Sequence, residues 1–106
     1  MLNKVQLIGN ITHDLEPQIL STDTGYIPKL DFSIAVNIKD KVNFIPCVVF
    51  RTQADNMVKY LCKGSKVYVE GSLSVEKYTN NNGENKTSIK VIVKKVIFLD
   101  NKNKEK

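Results

Sequence analysis

One segment with helical spacing interrupts a chain that otherwise alternates apolar and polar residues as β-strands do. Within residues 52–62 the apolar side chains recur three or four positions apart, at Ala54, Met57, Val58 and Leu61. Thr52 is the predicted N-cap of this helix, and Gly64 supplies the expected stop after its last turn. The sequence therefore predicts a single helix, and its place among the strands limits the possible folds.

Five strand-like runs surround this helix. Three precede it, in residues 5–11, 30–38 and 44–50, and two follow it, beginning at residues 66 and 89. In the last two runs the side chains predicted to face inward are Val67, Val69, Leu73, Val75, Ile89, Val91 and Val93. Lys94 and Lys95 break the alternation, which predicts a bulge.

Two polar stretches connect these runs. Residues 12–29 contain two prolines and a glycine and are predicted to form a loop or a short hairpin. Residues 80–83 read Asn-Asn-Asn-Gly, and residues of this kind tolerate the positive φ of a hairpin tip.

The order of these elements predicts an all-β fold, a five-stranded OB-type Greek-key barrel with one α-helix between strands 3 and 4. A chain of 106 residues, 42% of them hydrophobic, builds one small core. We expect a single domain over residues 1–100, followed by a short polar tail at 101–106. Barrels of this type commonly hold nucleic acid or sugar against one open face.

The third run is apolar on both sides. Ile45, Cys47 and Val49 alternate with Phe44, Pro46, Val48 and Phe50. We expect such a strand to be covered on both sides. Because Pro46 has no amide hydrogen, it belongs on an open edge or beside a bulge.

Composition excludes several classes of protein. The formal charge of +5 is compatible with a polyanionic partner but does not decide for one. Neither the single histidine, His13, nor the dispersed acids form a catalytic or metal-binding group, so we expect no enzyme, no metal and no cofactor. An OB-fold nuclease is the less favoured alternative.

The two cysteines and the absence of a long apolar run indicate the location. Cys47 and Cys62 are expected to be small buried hydrophobic residues in a reducing compartment. With no long apolar run, the expected location is the cytoplasm, without membrane contact.

A family resemblance rests on five short stretches. They are NKVQLIGN at 3–10, FSIAV at 32–36, VVF at 48–50, YLCKGS at 60–65 and VEG at 69–71. In this order and spacing they resemble the bacterial single-stranded DNA-binding protein family. The resemblance implies a homotetramer of OB barrels that coats single-stranded DNA in replication, recombination and repair, without sequence specificity or catalysis.

The resemblance also implies where DNA is held. Phe44, Phe50 and Tyr78 fall at the family's base-stacking positions, while Lys4, Lys63 and Lys77 match positions that are usually basic. Arg51 flanks the same face by its place in the fold and is a further phosphate candidate. For Phe44 and Phe50, the barrel core or an oligomer contact stays an alternative.

An adaptor function is the rival hypothesis. Small primosomal replication proteins resemble this family but act mainly by holding partner proteins. Typical relatives of this family continue into a flexible tail with an acidic tip that recruits enzymes, whereas this sequence ends on the basic segment 101–106. Partners that depend on an acidic tail are therefore not supported by this chain.

Overall fold

The structure is a computed structural model that describes residues 1–99, and these form six strands and one helix. The elements are β1 (Val5–Ile11), β2 (Gln18–Thr22), β3 (Gly25–Ile38), β4 (Lys41–Phe50), α1 (Arg51–Tyr60), β5 (Lys66–Thr79) and β6 (Asn85–Phe98). The predicted tail at 101–106 lies outside the described residues.

The strands form one sheet in the order β1-β5-β6-β4-β3-β2, and an additional pairing of β1 with β3 curls it into a barrel. The strand pairs are antiparallel except β4 with β6, which run parallel over Cys47–Val91 and Val48–Ile92. With α1 between the third and fourth barrel strands, the predicted OB-type fold is confirmed.

The five predicted barrel strands are present, and the sheet has one further strand, β2. β2 lies within the polar stretch 12–29 and pairs only with the beginning of β3, which makes the hairpin alternative for that stretch correct. Every residue of β2 is exposed, so neither side of this strand packs on the core. Its sequence therefore has no need to alternate apolar and polar residues. β2 extends β3 outward, and the barrel itself has five strands.

The helix buries the predicted stripe. Ala54, Met57 and the capping Leu61 are at most 2% exposed, and Val58 is half-buried. The prediction of Thr52 as N-cap was wrong, because the helix begins one residue after the extended Phe50 and has no side-chain cap. Gly64 does not end the helix but lies in the following turn, with φ at 92°.

The core contains side chains from β1, β3, β4, β5, β6 and α1. Its buried members are Ile11, Leu30, Phe32, Ile34, Cys47, Val49, Ala54, Met57, Leu61, Val67, Val69, Val91 and Val93. Leu73, Val75 and Ile89 were predicted to face inward but are 43%, 52% and 51% exposed. They lie on the inner side by register, yet the long β5–β6 hairpin extends beyond the barrel, where no core exists to cover them.

The predicted bulge is confirmed. Glu70 pairs with Lys95 and Gly71 pairs with Val93, so Lys94 has no partner on β5. At this point β5 and β6 approach closely, since a Cβ on Gly71 would lie 2.0 Å from the carbonyl oxygen of Ile92. Only glycine fits there without moving the backbone.

β4 is covered on both sides at Cys47, Val48 and Val49, which are at most 3% exposed, but not at its beginning. Phe44 is 67% exposed, so within a single chain the expectation of cover on both sides was wrong for this end of the strand. Pro46 lies just before the stretch that pairs with β6, at an edge that is open among the described residues, and the edge prediction is confirmed.

Candidate functional site

The outward sides of four barrel strands form one continuous surface. On β4, Phe44 and Phe50 point away from the core, because Cys47 and Val49 point into it. Strand pairing extends this side of the sheet to the neighbouring strands. Val48 pairs with Ile92 on β6, and Ile92 pairs with Ser72 on β5. We call the outward side of β3 and β4, of β6 up to Ile92 and of β5 from Ser72 onward the outer face.

Tyr78 belongs to the outer face as well. It lies an even number of residues beyond Ser72, and the pairing of β5 with β6 shows no register shift between them. Tyr78 is 52% exposed, while Phe50 is half-buried at the junction with α1. The structure therefore places the three aromatic residues predicted from the sequence on one side of the sheet, two of them with rings that are more than half exposed.

The four predicted cations are distributed differently. Arg51 is exposed and directly follows Phe50, so it lies at the edge of the outer face. Its φ of 61° is in the left-handed region, which is uncommon for a residue with a side chain. Lys77 is exposed but points to the opposite side of the hairpin from its neighbour Tyr78.

The other two cations lie away from the aromatic rings. Lys63 is exposed in the turn between α1 and β5, where the next residue, Gly64, donates a hydrogen bond of 2.8 Å to the carbonyl of Ile11. Lys4 precedes β1 and lies close enough to Glu70 to help lower the pKa of that carboxyl group. Neither is brought next to Phe44, Phe50 or Tyr78 by strand register.

An open cleft of about 460 Å³ on the outer face was not predicted from the sequence. Its lining includes His13, Asp14, Lys29, Asp31, Ser33 and Lys90. The Lys29 ammonium lies 3.5 Å from the Asp31 carboxylate, and that of Lys90 lies 3.4 Å from Glu76. The alternation of β3 identifies Lys29 and Asp31 as outward-facing, but only the pairing of β4 with β6 brings Lys90 beside them.

A second open cleft, also about 460 Å³, lies near the end of the β5–β6 hairpin. It is lined in part by Tyr78, its cross-strand partner Lys86, and Lys77. The Tyr78 ring and the Lys86 side chain therefore share one side of the hairpin at this depression, whereas Lys77 points to the other side. A ring beside an ammonium group is the combination that a stacked base and its phosphate require.

A hydrogen-bonded group occupies the outward side of β1 and β5, which we call the β1–β5 face. Gln6 donates from Nε2 to the Tyr68 hydroxyl at 2.8 Å, and that hydroxyl donates to Oε1 of Glu70 at 2.6 Å. The second bond lowers the pKa of Glu70 and raises that of Tyr68. Ile8 and Ile97 flank Tyr68 in the sheet and are 51% and 41% exposed.

No group of three or more histidines, cysteines or acids within residues 1–99 is arranged to hold a metal ion. Over the same residues, no helix has the length and apolar character that crossing a bilayer requires.

Comparison with known proteins agrees with this geometry. The model of the family described as "Single-strand binding protein family" matches residues 2–99. The chain belongs to that family. Its members are binding proteins and not enzymes.

The chain is similar to named proteins at several levels of sequence identity. The chain is 74% identical over 103 residues to a protein of Onion yellows phytoplasma (strain OY-M) named single-stranded DNA-binding protein, covering 97% of this chain and 99% of that one. It is 39% identical over 110 residues to single-stranded DNA-binding protein 1 of Staphylococcus aureus (strain COL), with 97% of this chain covered. The chain spans 64% of the length of that staphylococcal relative.

A solved structure supports the fold. The mitochondrial single-stranded DNA binding protein of S. cerevisiae superimposes with a TM-score of 0.77 at 24% identity, and the match covers 96% of this chain and 100% of that one. At 24% identity this structural similarity supports the fold and nothing more.

Proposed function

We propose that the chain binds single-stranded DNA without a sequence requirement and protects it during replication, recombination and repair in the cytoplasm. The observation that carries the proposal is the outer face, where Phe44 and Tyr78 expose 67% and 52% of their surface on the same side of the sheet as the half-buried Phe50. The names of the relatives, single-stranded DNA-binding proteins, point the same way.

The bases stack on the rings of Phe44, Phe50 and Tyr78. Every base has a π-face, so such contacts tolerate any sequence and contribute about 1–3 kcal/mol per base. An exposed phenylalanine in the middle of a strand gives the folded monomer little stability, because its ring stays in water. A ligand that covers the ring supplies the missing apolar contact.

The phosphates are proposed to be neutralised by Arg51 at the edge of the outer face and by three lysines that lie off it. Arg51, Lys63, Lys77 and Lys4 are the proposed contacts, and Arg51 is the one that strand order places directly beside a proposed stacking ring. Each phosphate that is neutralised releases counterions, so binding weakens as salt rises.

The chain is further proposed to assemble into a homotetramer, and the β1–β5 face supplies one interface of it. Ile8 and Ile97 expose 51% and 41% of their surface around the Gln6–Tyr68–Glu70 hydrogen bonds, which leaves an apolar patch with a polar centre. One edge of β1 pairs with β5, whereas its other edge pairs with β3 only at Asn10 and Ile11. The open part of this edge can pair with the same strand of another copy. Light scattering measures the mass in solution, and a monomeric mass at micromolar protein contradicts the assembly.

Fluorescence anisotropy with a labelled dT oligomer and a matched duplex tests the binding proposal. We expect binding of the single strand at low salt, a decrease in affinity as salt is added, and much weaker binding of the duplex. Equal binding of both, or binding of neither at low salt, contradicts the proposal. If a chain that ignores oligonucleotides captures a replication protein tightly, the adaptor function takes its place.

A further inference from the structure

The charges that line the cleft on the outer face are balanced. Its lysines, Lys29 and Lys90, are matched by Asp14 and Asp31, and Lys90 is also held by Glu76. A site that binds phosphate by charge gains most from cations without nearby carboxylates. This cleft therefore suits the neutral edge of a base, which carries both donors and acceptors, better than it suits a phosphate.

Two residues of the cleft lie next to the part of β4 that ends in Phe50, one of the proposed stacking rings. Lys29 is the cross-strand partner of Phe50, and Asp31 is the partner of Val48, the next outward residue along β4. Side chains that are paired in this way on one side of a sheet lie in contact range of each other. A base stacked on Phe50 would therefore lie within reach of the Lys29–Asp31 pair.

Partial burial makes this pair effective. The Lys29 side chain is 25% exposed, and its ammonium lies 3.5 Å from Oδ2 of Asp31, whose side chain is 50% exposed. The two groups thus offer a strong donor next to a strong acceptor, partly shielded from water. A volume of about 460 Å³ falls within the usual range for a pocket that takes a small ligand.

We propose that this cleft takes one guanine base of the bound strand. On its Watson–Crick edge guanine has the carbonyl O6 beside two adjacent N–H donors, at N1 and at the exocyclic amino group. The Lys29 ammonium donates to O6, and both N–H groups donate to the carboxylate of Asp31, which accepts two parallel bonds. Thymine, cytosine and adenine lack this pair of adjacent donors. The inference rests on the proposed single-strand binding and adds a base preference to it.

The test compares unlabelled competitors that displace a labelled dT oligomer. One competitor is the dT oligomer itself, a second carries one central dG, and a third carries deoxyinosine there, which lacks the exocyclic amino group of guanine. We expect the dG oligomer to compete about fivefold better than dT, the lower end of the effect of a bidentate base contact. We expect deoxyinosine to lose most of that advantage.

Asp31→Asn identifies the acceptor. It exchanges one carboxylate oxygen for an amide that cannot accept, so the ratio of dG to dT affinity falls toward one. Removing a negative charge strengthens binding of every oligomer, and for this reason the ratio is the readout. Asp23→Asn is the matched control, because Asp23 lies outside the strands, between β2 and β3, and is absent from the cleft lining, so it removes the same charge and leaves the ratio unchanged.

The outcomes separate the two proposals. If the dT oligomer binds but dG gives no advantage, or deoxyinosine equals dG, the guanine site is wrong and single-strand binding stands. An unchanged ratio in Asp31→Asn also overturns it. If no oligomer binds at low salt, both proposals fail.

Discussion

Asn3 and Leu73 are seventy positions apart and exchange two hydrogen bonds. The Asn3 amide donates to the Leu73 carbonyl at 2.9 Å, and the Leu73 N–H donates to Oδ1 of Asn3 at 2.8 Å. The last backbone pair between β1 and β5 is Val5 with Gly71, so the Asn3 side chain continues the pairing by one step. It fixes the entry of β1 to the base of the hairpin that carries Tyr78.

Asn3→Ala removes both bonds, and we expect the free energy of unfolding to fall by about 1–2 kcal/mol, since each exposed bond contributes about 1 kcal/mol. Urea unfolding measures the change. Asn37→Ala is the control, because the side chain of Asn37 is exposed and makes no hydrogen bond to another described residue. Equal stability of the Asn3 variant and the wild type would show that these bonds are not formed in solution.

Truncation of the aromatic rings tests the outer face. We expect Phe44→Ala, Phe50→Ala and Tyr78→Ala each to weaken binding of a dT oligomer by about 1–3 kcal/mol, because each removes one stacking platform. Phe44→Ala leaves thermal stability almost unchanged, since its ring is 67% exposed in the folded chain. Anisotropy titration gives the affinities.

Tyr60→Ala is the control for this series. Tyr60 is 50% exposed like Tyr78 but lies on α1, and its loss removes a contact with Lys59 instead of a platform on the sheet. Its affinity should equal that of the wild type. A loss at Tyr60 as large as the loss at Phe44 would place the bound strand elsewhere.

Arg51 combines backbone strain with a proposed contact to DNA. Its φ of 61° costs a residue with a side chain about 1 kcal/mol relative to glycine. Arg51→Gly is therefore expected to raise the free energy of unfolding by about that amount and to weaken single-strand binding. The slope of log affinity against log salt should fall by about 0.7, the value for one phosphate on a single strand.

Two further variants separate the two effects. Lys39→Gly relieves a φ of 54° and should raise stability in the same way. Lys59→Ala removes an exposed positive charge from α1 and should leave the salt slope unchanged. An unchanged salt slope in Arg51→Gly removes this residue from the DNA contact.

Cys47 predicts a loss of stability at alkaline pH. Burial raises the pKa of its thiol from the ordinary 9.0 to about 12. Between these values the unfolded chain releases the proton and the folded chain retains it. The contribution of the protonated thiol to the free energy of unfolding is fully present below pH 9. Above pH 9 this contribution falls by up to about 1.4 kcal/mol per pH unit.

Cys47→Val keeps the volume of the side chain roughly constant and removes the titration. Chemical unfolding of both proteins between pH 8 and pH 11 measures the difference. We expect the stability of the wild type to decline more steeply than that of the variant above pH 9. Parallel curves would mean that the folded thiol ionises as readily as the unfolded one.

Local patterns predict the elements of this fold but not their extents. The burial of Ala54 and Met57 follows from helical spacing, and Val91 is correctly placed by alternation. Alternation also assigns Leu73 to the inner side, yet it cannot tell how far the hairpin reaches past the barrel, where Leu73 is 43% exposed. The helix start was missed because Arg51 adopts a left-handed φ for which its residue type gives no signal.

The candidate site can likewise be predicted from the sequence only in part. Phe44 and Phe50 share a side because they are an even number of residues apart on one strand, and this follows from the sequence. The cleft does not, because Lys29 and Lys90 meet only through the parallel pairing of β4 with β6. Contacts between strands distant in sequence set that pairing.

The central claim is that unpaired bases rest on the rings of the outer face. Ultraviolet crosslinking of an oligomer that carries 5-iododeoxyuridine, followed by mass spectrometry of the peptides, tests it directly. We predict crosslinks at Phe44, Phe50 or Tyr78 that disappear when unlabelled dT competes. Crosslinks confined to Tyr26 or Tyr60, with the three rings unmodified, would contradict the account.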